Sequence, residues 1–314
     1  AAGNGAGGTI VYWAYPSVPD VNNPNWTDPN DSRDGPEGNR IPWPTSFGVS
    51  SMFVQNIGGK DLLFIAAQNG RVYAIDTEGR GDYDPTRRMP GTAVREWTWP
   101  KAKYDSGSGT LEVDPSREPF VASVAYDSVN NQVIAAGTEG RVFALDAAGN
   151  GDQTTDLNWA WPDFNDPPVG AISGTPAVAA GKVYVTSFDG HVYARDATGN
   201  PNPALNWQFP DVNQPALSPF SFTGVCYVPG IQVGFLQDLV YFINENGHFY
   251  ACQANDGTLV FDSADVPGGA SSSPYFTRIV PSGFALPEPM ITVATNDGAF
   301  LGLYADPLRT NSAG

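Results

Sequence analysis

Lysine, histidine and cysteine are scarce in this chain of 314 residues, which has only four, two and two of them. Two cysteines cannot build a disulfide framework, and they lack the spacing of a zinc site. Two histidines leave no HExxH motif, and no Ser/His/Asp ordering or phosphate loop accompanies them. Sixteen basic residues against thirty-three acidic ones give a formal charge of -17, a surface that repels phosphate backbones and argues against nucleic-acid partners. No apolar run approaches the roughly 18 to 20 residues of a membrane-spanning helix.

What is abundant is glycine (35), proline (28) and aromatic residues (12%), while charged residues make up only 16%. That balance suits many short strands joined by turns. Five dipeptides follow β-rich runs: Asn69-Gly70, Glu139-Gly140, Asp189-Gly190, Asn246-Gly247 and Asp297-Gly298. Each reads as a hairpin tip, and the Asn-Gly and Asp-Gly pairs suit primed turns. The glycines are 70, 50, 57 and 51 residues apart, the length of a four-stranded sheet with its loops. A short run precedes each hairpin, and an aromatic strand follows: EWTWP, NWAWP, NWQFP and the degenerate LVFDS.

Five such units with no helical periodicity predict an all-β fold, a β-propeller of five four-stranded antiparallel blades. The units span about 46–100, 117–162, 169–210, 221–262 and 268–306 of one domain. The opening AAGNGAGGTIVYWAYP replays residues 147–162, so the chain starts inside a repeat, and the last unit lacks its aromatic strand. The expectation is that the strand at 9–16 completes the last blade and removes two open sheet edges. The alternative is a fragment of a larger seven- or eight-bladed ring.

The stretch GTPAVAAGKVYVTSFDGHVYARDATGNPNPALNWQFP (Gly174 to Pro210) resembles the quinoprotein-like propeller repeat, a likeness that extends over residues 46–306 as five units. That family includes dehydrogenases dependent on pyrroloquinoline quinone (PQQ) and also non-catalytic outer-membrane assembly proteins. By resemblance, the Trp that packs between adjacent blades falls on Trp13, Trp97, Trp159 and Trp207. Each is followed two residues on by Tyr15, Trp99, Trp161 or Phe209, which puts both rings on one strand face.

Catalytic relatives hold PQQ with calcium on the propeller axis, and the alcohol dehydrogenases carry a disulfide between adjacent cysteines there. This chain has no such pair. Cys226 and Cys252 fall on the first and third strands of the fourth unit, about two strand spacings apart, beyond disulfide reach. Both are expected to be free and buried. His191 and His248 sit after the hairpin glycine, where other units have Arg71, Arg141 and Ala299, so the position tolerates exchange.

The loops DTEGRGD and DAAGNGD share the form D-x-x-G-x-G-D. Closely spaced carboxylates on a bent loop suit Ca2+, making Asp76, Asp82, Asp84, Asp146, Asp152 and Asp156 the calcium candidates. Residues 17–47 form a long Pro/Asn/Asp-rich insertion, read as a cover over one face or a partner-contact loop. No catalytic residue, cofactor or PQQ site is expected. The reading is a non-enzymatic extracytoplasmic scaffold, periplasmic, secreted or on the cell surface, that binds other proteins or copies of itself in an assembly. The alternatives are a relative or fragment of a PQQ-dependent dehydrogenase, and a carbohydrate-binding module.

Overall fold

A computed structural model describes residues 2–3, 9–10, 13–14, 51–80, 91–105, 110–113, 117–199, 205–263, 268–270, 272–279 and 287–306. The insertion 17–47 and the carboxylates of Asp82 and Asp84 lie outside the described residues. The architecture is all-β apart from one helical turn, Gly230–Val233. Short strands β1 (Ala2–Gly3) and β2 (Thr9–Ile10) pair with each other, and β3 is Trp13–Ala14.

The first sheet holds β4 (Phe53–Ile57), β5 (Lys60–Ala67), β6 (Arg71–Arg80) and β7 (Gly91–Trp99). A hairpin of β8 (Ala102–Asp105) and β9 (Thr110–Val113), not foreseen from the sequence, follows it. The second sheet has β10 (Ala125–Asp127), β11 (Gln132–Ala136), β12 (Val142–Asp146) and, after the short β13 (Gln153–Thr154), β14 (Leu157–Trp161). In the third are β15 (Ala177–Ala179), β16 (Lys182–Thr186), β17 (Val192–Asp196) and β18 (Leu205–Phe209). The fourth comprises β19 (Cys226–Val228), β20 (Leu239–Ile243), β21 (Phe249–Gln253) and β22 (Leu259–Asp262). The fifth contains only β23 (Tyr275–Ile279), β24 (Glu288–Ala294) and β25 (Phe300–Tyr304) among the described residues. Within each sheet the strands run antiparallel in chain order.

Two expectations are corrected. The described residues of 9–16 do not lie on the fifth sheet: Thr9 and Ile10 pair with Gly3 and Ala2, and Trp13 and Ala14 run parallel to Gly91 and Thr92 on the outer strand of the first sheet. That edge is long and already recruits a second parallel addition, Gln153–Thr154 beside Trp97–Thr98, so it competes for short extended segments. The hairpin tips are also not primed turns. Each closes with an amide-to-carbonyl bond across a four-residue turn, as from Gly140 to Gly137 (3.1 Å), and only its glycine has positive φ. The loop is a type I turn with a glycine bulge, which needs one left-handed residue instead of two.

The hydrophobic core is a series of slabs between successive sheets. Apolar clusters join sheets one and two, two and three, three and four, and four and five. Strands covered on both faces read as unbroken apolar runs, such as Leu239–Ile243, which is buried throughout. The first strands of the second to fifth sheets adjoin in order, and Ser51, Ser123, Ser173, Phe222 and Ser273 of the five units line one cavity of about 480 Å3.

A repeated dock fixes each sheet on the next. The indole N–H of Trp97 donates to the Ala147 carbonyl (3.0 Å), that of Trp159 to Ala197 (3.1 Å) and that of Trp207 to Ala254 (3.1 Å). Beside each ring lies a glycine with positive φ, Gly149, Gly199 or Gly257, on which a Cβ would strike the indole. The fourth sheet has no tryptophan. There the Tyr241 hydroxyl donates to the Ala305 carbonyl instead. A second lock lies over the hairpin tips: the linker to the next sheet crosses the glycine, with Arg117 N–H donating to Gly70, Val169 to Gly140 and Leu217 to Gly190.

Candidate functional site

The fifth sheet departs from this pattern. Two residues after the hairpin glycine, Val72, Val142, Val192 and Phe249 are 0–1% exposed because the next sheet covers them, but Phe300 is 83% exposed. Tyr275, at the start of the first strand, is 69% exposed, and Ile279 on the same face is also open. In β25 Leu301 and Leu303 pack on the fourth sheet and Phe300 points away from it, while on that outer face Met290 is buried and Tyr275 and Phe300 are open. Among the described residues no linker crosses its tip either: a Cβ on Gly298 would meet nothing within 4 Å, whereas one on Gly140 would lie 2.0 Å from the Val169 carbonyl. Together with β25, the last strand of its sheet among the described residues, this is an exposed aromatic surface at a sheet edge.

The acidic loops are placed differently from one another. Asp76 opens its motif on β6, paired with Leu62 in the ladder, and the described part of the motif ends at Arg80. In the second loop the carboxylates cap turns: Asp146 accepts from the Ala148 amide (2.9 Å), Asp152 from the Thr154 amide (3.2 Å) and Asp156 from the Asn150 side chain (3.2 Å). The loop reaches back to the first sheet, where Arg95 donates to Gln153 (2.9 Å). Among the described residues no three acidic, histidine or cysteine side chains converge as metal ligands.

His191 lies 3.3 Å from Asp189, and His248 3.7 Å from Asp262. Of the four tryptophans, Trp97, Trp159 and Trp207 occupy the docks above, and the side chain of Trp13 lies outside the described residues.

Both cysteines are free, with β20 between them: Cys226 pairs with Tyr241, and Cys252 with Val240. Cys226 is only half-buried, a correction to the expectation, because it lies on the first strand of its sheet, where the matching Ala125 and Ala177 are half-buried too. Burial pushes the Cys226 thiol up to about 11 and raises that of Cys252 as well. Little thiolate then exists at neutral pH. Native protein should react with a thiol-disulfide reagent at least about a hundredfold more slowly than unfolded chain, read as thiol release with and without denaturant.

Glu118 is buried, its Oε1 has no hydrogen-bond partner, and desolvation holds its pKa above the ordinary carboxylate range. A raised folded pKa gives stability that is complete below the unfolded value and is lost as pH rises through the folded one. Glu118→Gln should therefore raise the melting temperature at about pH 8 and change it little at about pH 4, a comparison that scanning calorimetry makes.

No curated protein sequence matches the chain significantly. Among solved structures, BamB from Moraxella catarrhalis is similar at 14% identity with a TM-score of 0.48, over 81% of this chain and 57% of that one. The computationally designed Ika4 protein is similar at 11% identity with a TM-score of 0.44, over 62% of this chain and 95% of that one. The sequence profile of the family described as outer membrane protein assembly factor BamB matches residues 103–263, just over half of the chain. Since that match takes in the second, third and fourth sheets and the docks of Trp159 and Trp207, the chain belongs to this family of PQQ-type repeat β-propellers.

Proposed function

We propose that the chain is a non-enzymatic, protein-binding propeller that works outside the cytoplasm as a scaffold, of the kind the family's name describes. The observation that carries this reading is the fifth sheet, with Phe300 and Tyr275 in solvent on a face that its four counterparts bury. Solvated aromatic surface of this kind marks interaction sites. The natural occupant is an extended, aromatic segment of a partner, adding to β25 as β14 adds to β12 and β18 to β17. Membership of an assembly-factor family supports the same reading.

The test compares wild-type chain with a Phe300→Asp/Tyr275→Asp variant as bait in an envelope extract. Both positions are exposed, so the variant should keep its unfolding free energy to within about 0.5 kcal/mol. Wild type should retain specific proteins that the variant loses. Identical retention by both, or none by either, would count against the reading. Adding PQQ and calcium should leave the absorption spectrum of the free quinone. A bound-quinone spectrum with dye-linked alcohol oxidation would favour the dehydrogenase alternative.

A further inference from the structure

The outer ends of three inter-sheet slabs share one layout. The aromatic residue two places after the docking tryptophan, Trp99, Trp161 or Phe209, faces an aromatic on the third strand of the next sheet: Phe143 at 4.9 Å, Tyr193 at 5.1 Å and Tyr250 at 5.8 Å between ring centroids. In the first two junctions a guanidinium completes the stack. Arg117 lies over Trp99 (5.8 Å), and Arg195 over Trp161 (3.8 Å). The third junction lacks it. Arg195 follows the bulge of its strand and pairs with Leu205; the residue in the same position of the next sheet, after the same bulge and paired with Leu259, is Cys252. No guanidinium of the described residues lies over Phe209.

A cavity of about 590 Å3 opens there, lined by Phe209, Tyr250, Leu259 and the carboxylates of Asp211, Asp256 and Asp262. Asp211 uses one oxygen for Asn213, Asp256 one for the Thr258 amide, and Asp262 has one 3.7 Å from His248. The second oxygen of each makes no hydrogen bond among the described residues.

We propose that this groove receives a guanidinium group, the side chain of an arginine presented by a partner protein, which takes the place over Phe209 that Arg195 takes over Trp161. The proposal rests on the protein-binding reading and gives the partner its chemistry. A guanidinium offers a flat face to the rings and five N–H donors to the carboxylates around it. Lysine offers neither the plane nor the fork, and its ammonium is more strongly hydrated. A net charge of -17 draws the cation towards the site. The two filled junctions show that this fold accommodates the pair.

The experiment titrates purified protein with a blocked Gly-Arg-Gly peptide and its citrulline and lysine counterparts, following the ring resonances of Phe209 and Tyr250. Citrulline keeps the shape and loses the charge. The arginine peptide should give saturable shifts at both rings and bind about tenfold or more tightly than either counterpart. Asp211→Asn/Asp256→Asn/Asp262→Asn, at three exposed positions, should weaken it by about tenfold. Cys252→Arg should fill the groove from within and abolish binding; if that variant does not fold, the asparagine variant decides. Absent saturation, equal binding of citrulline, or undiminished binding by the asparagine variant would overturn the proposal. Because no partner protein takes part, that outcome is separate from failure of the bait experiment, which reads the fifth sheet.

Discussion

Trp159→Ala should lower the free energy of unfolding by about 4–5 kcal/mol, read from the shift of a urea transition. The indole is buried between the second and third sheets, and removing a core tryptophan costs about 3–5 kcal/mol through lost burial and the cavity left behind. The Ala197 carbonyl also loses a donor, although the Gln132 side chain still donates to it. Trp159→Phe separates the two effects. It keeps much of the ring and loses the N–H, and should cost about 1–2 kcal/mol. In an array where each unit touches only its neighbours, that loss falls on one junction.

Gly140→Ala should cost about 3 kcal/mol, while Gly298→Ala should cost about 1 kcal/mol, both by the same denaturation measurement. The two glycines have the same φ of 86° at the same place in their hairpins. A left-handed non-glycine residue costs roughly 1–2 kcal/mol wherever it occurs. What differs is the surroundings. An added Cβ at Gly140 meets the backbone of Val169 and Gly170, which cannot rotate away, and strain of that kind costs about 1–3 kcal/mol more. At Gly298 the space is empty. The difference between the variants therefore isolates the linker that locks one sheet under the next.

The repeat was legible in the sequence because its anchors have local causes. A left-handed turn residue requires glycine at each tip, and a tryptophan two residues ahead of a second aromatic puts both rings on one strand face. The four-stranded sheets follow from those two signals. Turn type was not legible, because Asn-Gly serves both a primed turn and a bulged one, and the choice depends on how many residues the ladder leaves over. The place of Trp13 and Ala14 was misread for a different reason. Their aromatic pattern specifies a strand, but which edge accepts it depends on long-range competition, and in the structure β7 takes Trp13 and Ala14.

The candidate surface was not legible in the sequence, because the exposure of Phe300 and Tyr275 depends on what lies across from them. The guanidinium groove was legible only by aligning the repeats: Phe209 for tryptophan and Cys252 for Arg195 are ordinary substitutions until the two filled junctions show what they leave empty.

The fifth sheet presents Phe300 and Tyr275 to solvent, whereas the positions that match Phe300 in the other four sheets are covered. Hydroxyl-radical footprinting of the isolated protein, read by mass spectrometry, tests it most directly. Tyr275 and Phe300 should be oxidised as readily as in unfolded chain, while Tyr184, Tyr241 and Phe249 stay protected. Protection of Tyr275 and Phe300 equal to that of Tyr241 would mean that the chain covers this face itself, and would contradict the account.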